Sequence, residues 1–144
     1  MRCVEIFEED DNSTIVVLEH KGECFYGESM VAPEDKEYFS KLFGGRLAEA
    51  RATREAVKYE LAEARKELHT LDNLLKACSL TKKFDSTSSS AKVLYRQYNV
   101  KKKQVAALKD RSTTMKKIIN DMIDQRDKYI KKMEDKKRTK ADKE

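Results

Sequence analysis

The sequence predicts an α+β fold that is mostly α. An N-terminal three-stranded antiparallel β-meander with a short helix fills residues 1–45, and a long antiparallel coiled-coil helical hairpin follows over residues 46–137, turning at about 80–90. A disordered basic tail is expected over 138–144. Three observations carry this reading. Apolar positions recur in alternating steps of four and three, through Val57, Leu61, Ala64, Leu68, Leu71 and Leu75, and again through Val105, Leu108, Met115, Ile119 and Met122, with Ser112 at the one polar step between Leu108 and Met115. That spacing averages 3.5 residues, the period of a left-handed coiled-coil seam. The two arms contain no proline, and glycine is absent after Gly45. Before residue 31, by contrast, β-branched and aromatic residues cluster between polar turns.

In order along the chain, residues 2–7 predict a first strand, with Val4 and Ile6 on one face and Cys3, Glu5 and Phe7 on the other. Residues 8–12 read as a polar turn. Ile15, Val16, Val17 and Leu18 make residues 14–19 the best strand of the chain. Lys21-Gly22 then gives a tight hairpin turn into a third strand over 23–30. Such a sheet is marginal alone, so one face is expected to be covered by a helix. Pro33 suits the first turn of a helix, and Glu34, Asp35 and Glu37 suit its positive end. Tyr38, Phe39, Leu42 and Phe43 make this a short apolar helix, and Gly44-Gly45 is expected to kink or break it. The first arm, residues 46–79, is rich in strong helix formers. The Ser/Thr run after Asp85 favours a turn, with Ser88, Ser89 or Ser90 as the N-cap of the second arm.

Composition bounds the function. Charged residues are 40% of the 144 and hydrophobic ones 39%, which suits solvated helices with narrow apolar stripes rather than one thick core. No run of about 18 or more apolar residues occurs, so no membrane span is expected. The acidic start from Glu5 to Asp11 is not that of a secretory signal. Cys3, Cys24 and Cys78 form an odd set without close spacing, the pattern of free thiols in a reducing cytoplasm, and Cys3 and Cys24 read as buried small hydrophobes. No phosphate loop or nucleophile elbow is present, and no acid, base and nucleophile converge. His20 and His69 fall in different elements at ordinary polar positions. The stretch Glu9-Asp10-Asp11-Asn12 lacks the spacing of a calcium loop. The expectation is therefore a non-enzymatic chain with no catalytic site, metal, cofactor or small-molecule substrate.

The net charge of +5 conceals a polarity. Residues 1–79 carry 11 Lys+Arg against 17 Asp+Glu, and residues 80–144 carry 20 against 9. An acidic arm lying antiparallel to a basic arm is favourable. The same basic arm is also a candidate nucleic-acid surface through Lys101, Lys102, Lys103, Lys116, Lys117, Lys131 and Lys132, with tyrosines interspersed. Lysine outnumbers the arginine that reads bases better. An apolar surplus lies beside each seam: Ala48, Ala52, Tyr59, Leu74 and Ala77 on the first arm, and Val100, Ala107, Ile118, Ile123 and Ile130 on the second. Two helices cannot shelter both stripes. The sheet and short helix must cover part, or a protein partner or second copy must, and Val100, Ile118, Ile123 and Ile130 are the expected partner or homodimer surface.

The segment Gly27-Glu28-Ser29-Met30-Val31-Ala32-Pro33-Glu34-Asp35, followed by Phe39 and by Gly45-Arg46-Leu47-Ala48-Glu49-Ala50-Arg51-Ala52, is similar to a pattern in small uncharacterised phage proteins of Gram-positive hosts. The chain departs from that pattern at Ser29 and at Val31, where a cysteine is frequent. The resemblance implies a phage or prophage origin, and so a place in the host cytoplasm. Small phage proteins often bind a host protein, antiviral defence components included. The functional expectation is a protein-binding accessory protein that inhibits a host factor through its hairpin. The alternatives are a nucleic-acid-binding accessory protein and a structural or assembly coiled coil.

Overall fold

The computed structural model describes residues 1–9, 13–31, 35, 40–80, 85 and 87–143, with 7–9 and 41 described by backbone alone. Five elements follow in order: β1 (Arg2–Glu9), β2 (Ser13–His20), β3 (Glu23–Met30), α1 (Lys41–Ser79) and α2 (Ser89–Lys143). The chain is α+β and mostly helical. It divides into two compact units, Met1–Ala56 with Thr114–Glu144, and Val57–Thr113.

The first unit holds the antiparallel sheet, in the order β1-β2-β3. The expected turn is present: Lys21 and Gly22 have φ of 53° and 79°, the left-handed pair that a two-residue hairpin needs to match strand twist. Register places Thr14 opposite Ser29, Val16 opposite Gly27 and Leu18 opposite Phe25 on one face. This face packs on the start of α1, where Val16, Leu18, Ala48 and Ala52 form one buried cluster. Gly27 makes the approach possible: a Cβ there would overlap the Ala48 carbonyl oxygen and press on the Ala52 amide. The Ser29 hydroxyl donates to the Gly44 carbonyl at 2.7 Å, tying β3 to the first turn of the helix. Ala48 and Ala52 are thus covered by the sheet, which accounts for part of the apolar surplus.

Several expectations change here. A bulge between Cys3 and Glu5 shifts the register of β1, so that Cys3 pairs with Leu18 and Ile6 with Val16. Cys3 and Ile6 therefore share a face, and the simple alternation of Val4 with Ile6 fails, because a bulge inserts one unpaired residue. Cys3 and Cys24 are exposed rather than buried, on strands separated by β2. The glycine pair does not break the helix. Helix α1 starts at Lys41 and runs through Gly44 and Gly45, with the Phe43 amide donating to Ser40 Oγ and the Gly44 amide to the Ser40 carbonyl. The Ser29 contact offsets the cost of glycine at this position. Pro33, Glu34, Glu37, Tyr38 and Phe39, on which the short helix was expected, lie outside the described residues, as do Asp10, Asp11 and Asn12. Helix α2 extends past residue 137 to Lys143, where a disordered tail was expected. The stretch has no helix breaker, and its lysines suit the negative end of the helix dipole.

In the second unit Val57, Leu61 and Ala64 of α1 and Leu108 of α2 form one buried cluster, with Val105 half-buried against it. Ser88 is the N-cap of α2: its hydroxyl accepts from the Ala91 amide at 3.2 Å and its carbonyl from Lys92 at 3.0 Å. Before it, the Asp85 carboxylate accepts from the Thr87 hydroxyl at 2.6 Å and the Thr87 amide at 2.9 Å. These two bonds, the hydroxyl first, hold the Asp85 carboxyl below its usual range.

Candidate functional site

Three surfaces collect the chemistry of the chain. The first lies in the second unit, beside the buried cluster. Of the expected seam residues there, Val57, Leu61 and Leu108 are buried, and Leu68, Leu71, Leu75 and Val105 are half-buried. Lys101 is largely covered and forms an ion pair with Glu67. It is therefore engaged within the unit, unlike Lys102 and Lys103, which are exposed. Leu71, Thr70, Gln97 and Val100 line an apolar groove of about 560 Å³. Val100 remains 61% exposed, and Leu74 and Tyr95 are exposed on the same two helices.

The remaining seam residues lie in the first unit. Ile119 is buried, and Met115 and Met122 are half-buried. Ile118 is 43% exposed. Ile123 and Ile130 are half-buried. Ile130 shares a small cavity with Val31, Phe43 and Tyr129, so it belongs in part to the packing of this unit.

The second surface is the C-terminal face of α2. Lys116, Lys117, Lys131 and Lys132 are exposed. Lys128, Lys131, Lys132, Lys136, Lys140 and Lys143 line one shallow groove with Asp135 and Thr139. Their spacing of three and four residues keeps them on one helical face.

The third surface surrounds the outer end of β3. Arg51 donates to the Glu28 carbonyl at 2.6 Å, and Arg126 to the Met30 carbonyl at 3.3 Å. Arg54 and Arg126 each bury an Nε without a hydrogen-bond partner. The Asp127 carboxylate lies 3.6 Å from Arg126 Nε, beyond hydrogen-bond length. Burial first, and the Arg126 charge second, shift Arg51 below its ordinary range, with Glu28 opposing. The Arg51 guanidinium nonetheless stays charged at neutral pH. Sequence reasoning missed this cluster, although Arg54, three residues before Val57, and Arg126, four after Met122, continue the apolar spacing, and a charge at such a position is a signal.

Among the described residues, no three His, Cys, Asp or Glu side chains are grouped to hold a metal. His69 pairs with Asn73 at 3.2 Å on an exposed helix face. Among the described residues, no helix is long and apolar enough to cross a membrane. No family model, curated protein or solved structure matches the chain.

Proposed function

We propose that this chain is a non-enzymatic protein-binding protein whose two helices pair as an antiparallel coiled-coil hairpin and engage a partner through the apolar surface beside that seam. The direction of neighbours in the second unit supports the pairing. Leu108 shares a cluster with Val57, Leu61 and Ala64, whereas Lys101, earlier on α2, pairs with Glu67, later on α1. The observation that carries partner binding is the groove at Leu71 and Val100, open and apolar, with Leu74 and Tyr95 exposed nearby in sequence. Side chains of this kind gain about 1.5–3 kcal/mol each on full burial, and contiguous exposed apolar surface marks interaction sites. The resemblance at residues 27–35 and 45–52 extends the proposal to a phage accessory protein that occupies a host factor in the host cytoplasm, a class that includes antiviral defence components.

A second reading rests on the lysine face of α2. Six lysines on one side of a helix neutralise phosphates without reading sequence. One experiment separates the two readings. Wild type and Val100→Glu are used as baits in host lysate, with and without nuclease. The first reading expects a host protein that survives nuclease and is lost with Val100→Glu. Capture that nuclease abolishes, unchanged by Val100→Glu, replaces it with the second.

A further inference from the structure

Strand β3 has β2 on one side and, among the described residues, no strand on the other. The bonds from Arg51 and Arg126 fix which backbone groups face outward. They reach the carbonyls of Glu28 and Met30, and in an antiparallel strand both polar groups of every second residue point to the same side. The amides and carbonyls of Cys24 and Tyr26 and the amide of Glu28 therefore face the open edge. A groove of about 490 Å³ runs along it, lined by Tyr26, Glu28, Arg51, Arg54, Glu55 and Ile119. Tyr26 is 71% exposed.

We propose that this groove binds an extended segment of a protein partner, which adds as a fourth strand along β3 and places one acidic side chain on Arg51 and Arg54. The backbone supplies the affinity, since edge amides and carbonyls need partners of a strand's spacing. The arginines supply the selectivity. A guanidinium fork matches a carboxylate in two-point geometry, and Arg54 holds a buried donor with no partner. Arg126, adjoining Arg51, adds positive potential that a carboxylate relieves. Ile119 offers an apolar contact to the residue two places along, because alternate residues of a strand share a face. Glu28 and Glu55 also line the groove, and Glu28 acts on Arg51, so their negative charges leave room for a single further carboxylate. The bound segment thus carries one acid, with an apolar neighbour at the second position, rather than an acidic run.

This inference goes beyond the reading of the helices, since it concerns the first unit and stands whether or not the Leu71–Val100 surface binds anything. The test probes an array of random octapeptides with the full chain and resynthesises the strongest binders. The expected binders carry one Asp or Glu with an apolar residue two positions away, and they slow hydrogen exchange at the amides of Cys24, Tyr26 and Glu28. Arg54→Gln is expected to weaken them about tenfold, the loss of one charge-assisted hydrogen bond. Tyr26→Pro removes an outward amide that an edge strand can spare, and is expected to weaken them similarly with an unchanged circular dichroism spectrum. Val100→Glu is expected to leave binding intact. An array without binders, binders with no acidic preference, protection confined to other amides, or equal loss with Val100→Glu would each overturn the proposal.

Discussion

At the scale of single residues, the contact between sheet and helix depends on what is missing at Gly27. A methyl group there meets helix backbone, which cannot swing aside as a side chain can. Gly27→Ala is therefore expected to cost about 3 kcal/mol, the upper part of the usual overpacking range, read as a fall in the urea midpoint. Thr14 presents the opposite case. It is fully buried on β2, and its hydroxyl has no hydrogen-bond partner. Thr14→Val keeps the shape and removes an unsatisfied group, so stability is expected to rise by about 1 kcal/mol. A lower midpoint would show that the hydroxyl has a partner in solution. Asp85 carries a pH dependence. Its folded pKa is depressed by the two Thr87 bonds, so its stabilisation is present above the unfolded carboxylate value and is lost as pH falls through the folded one. A carbon-detected titration should place the Asp85 midpoint below that of an unstructured aspartate, and Thr87→Ala should return it.

At the scale of elements, the three strands and both helices were legible in the sequence, and their junctions were not. The density of β-branched residues over Ile15–Leu18 marked β2, and its central place explains why that density is there: it is the strand flanked on both sides. The bulge in β1 was illegible because an extra residue leaves no compositional trace, only a change of partner. Gly44-Gly45 misled because propensity counts the helix alone, whereas the Ser29 hydroxyl bonds to the Gly44 carbonyl from another element. The seam gives a graded prediction. Leu61 is buried and Leu68 only half-buried, so Leu61→Ala is expected to cost about 2–5 kcal/mol and Leu68→Ala distinctly less. Equal costs in thermal melts would show that the helices pack more evenly around the seam than their burial indicates.

At the scale of the molecule, the apolar residues left exposed on α2 point to assembly. Val100 and Ile118 are both exposed, within separate units. A homodimer that covers the Ile118 part of that stripe in a four-helix bundle is the proposed assembly, which leaves the Leu71–Val100 groove to a protein partner. Lys102, Lys103, Lys116 and Lys117 flank these residues and are exposed, so like charges approach across a two-fold axis. Screening them should tighten the dimer, whereas salt weakens nucleic-acid binding. Light scattering at micromolar concentration is expected to give a dimer mass that strengthens with salt and becomes monomeric with Ile118→Glu. A monomer at every salt concentration would assign the stripe to a different partner.

The sequence by itself determined the elements, because periodicity, β-branching, turn residues and caps are local properties: Lys21-Gly22 set a hairpin turn and Ser88 a helix start. It also marked which helix positions are apolar. Only the tertiary structure decided which stripe meets which surface. Ala48 and Ala52 turned out to serve the sheet, Lys101 an ion pair, and Val100 open solvent. The arginines around β3 belong to the same category. Arg51 and Arg126 come from two helices and bond to the backbone of one strand, and Arg54 lines the groove beside Arg51. Their spacing marks Arg54 and Arg126 as charges at apolar-seam positions but not what they meet, because that follows from how closely Gly27 lets the strand approach the helix.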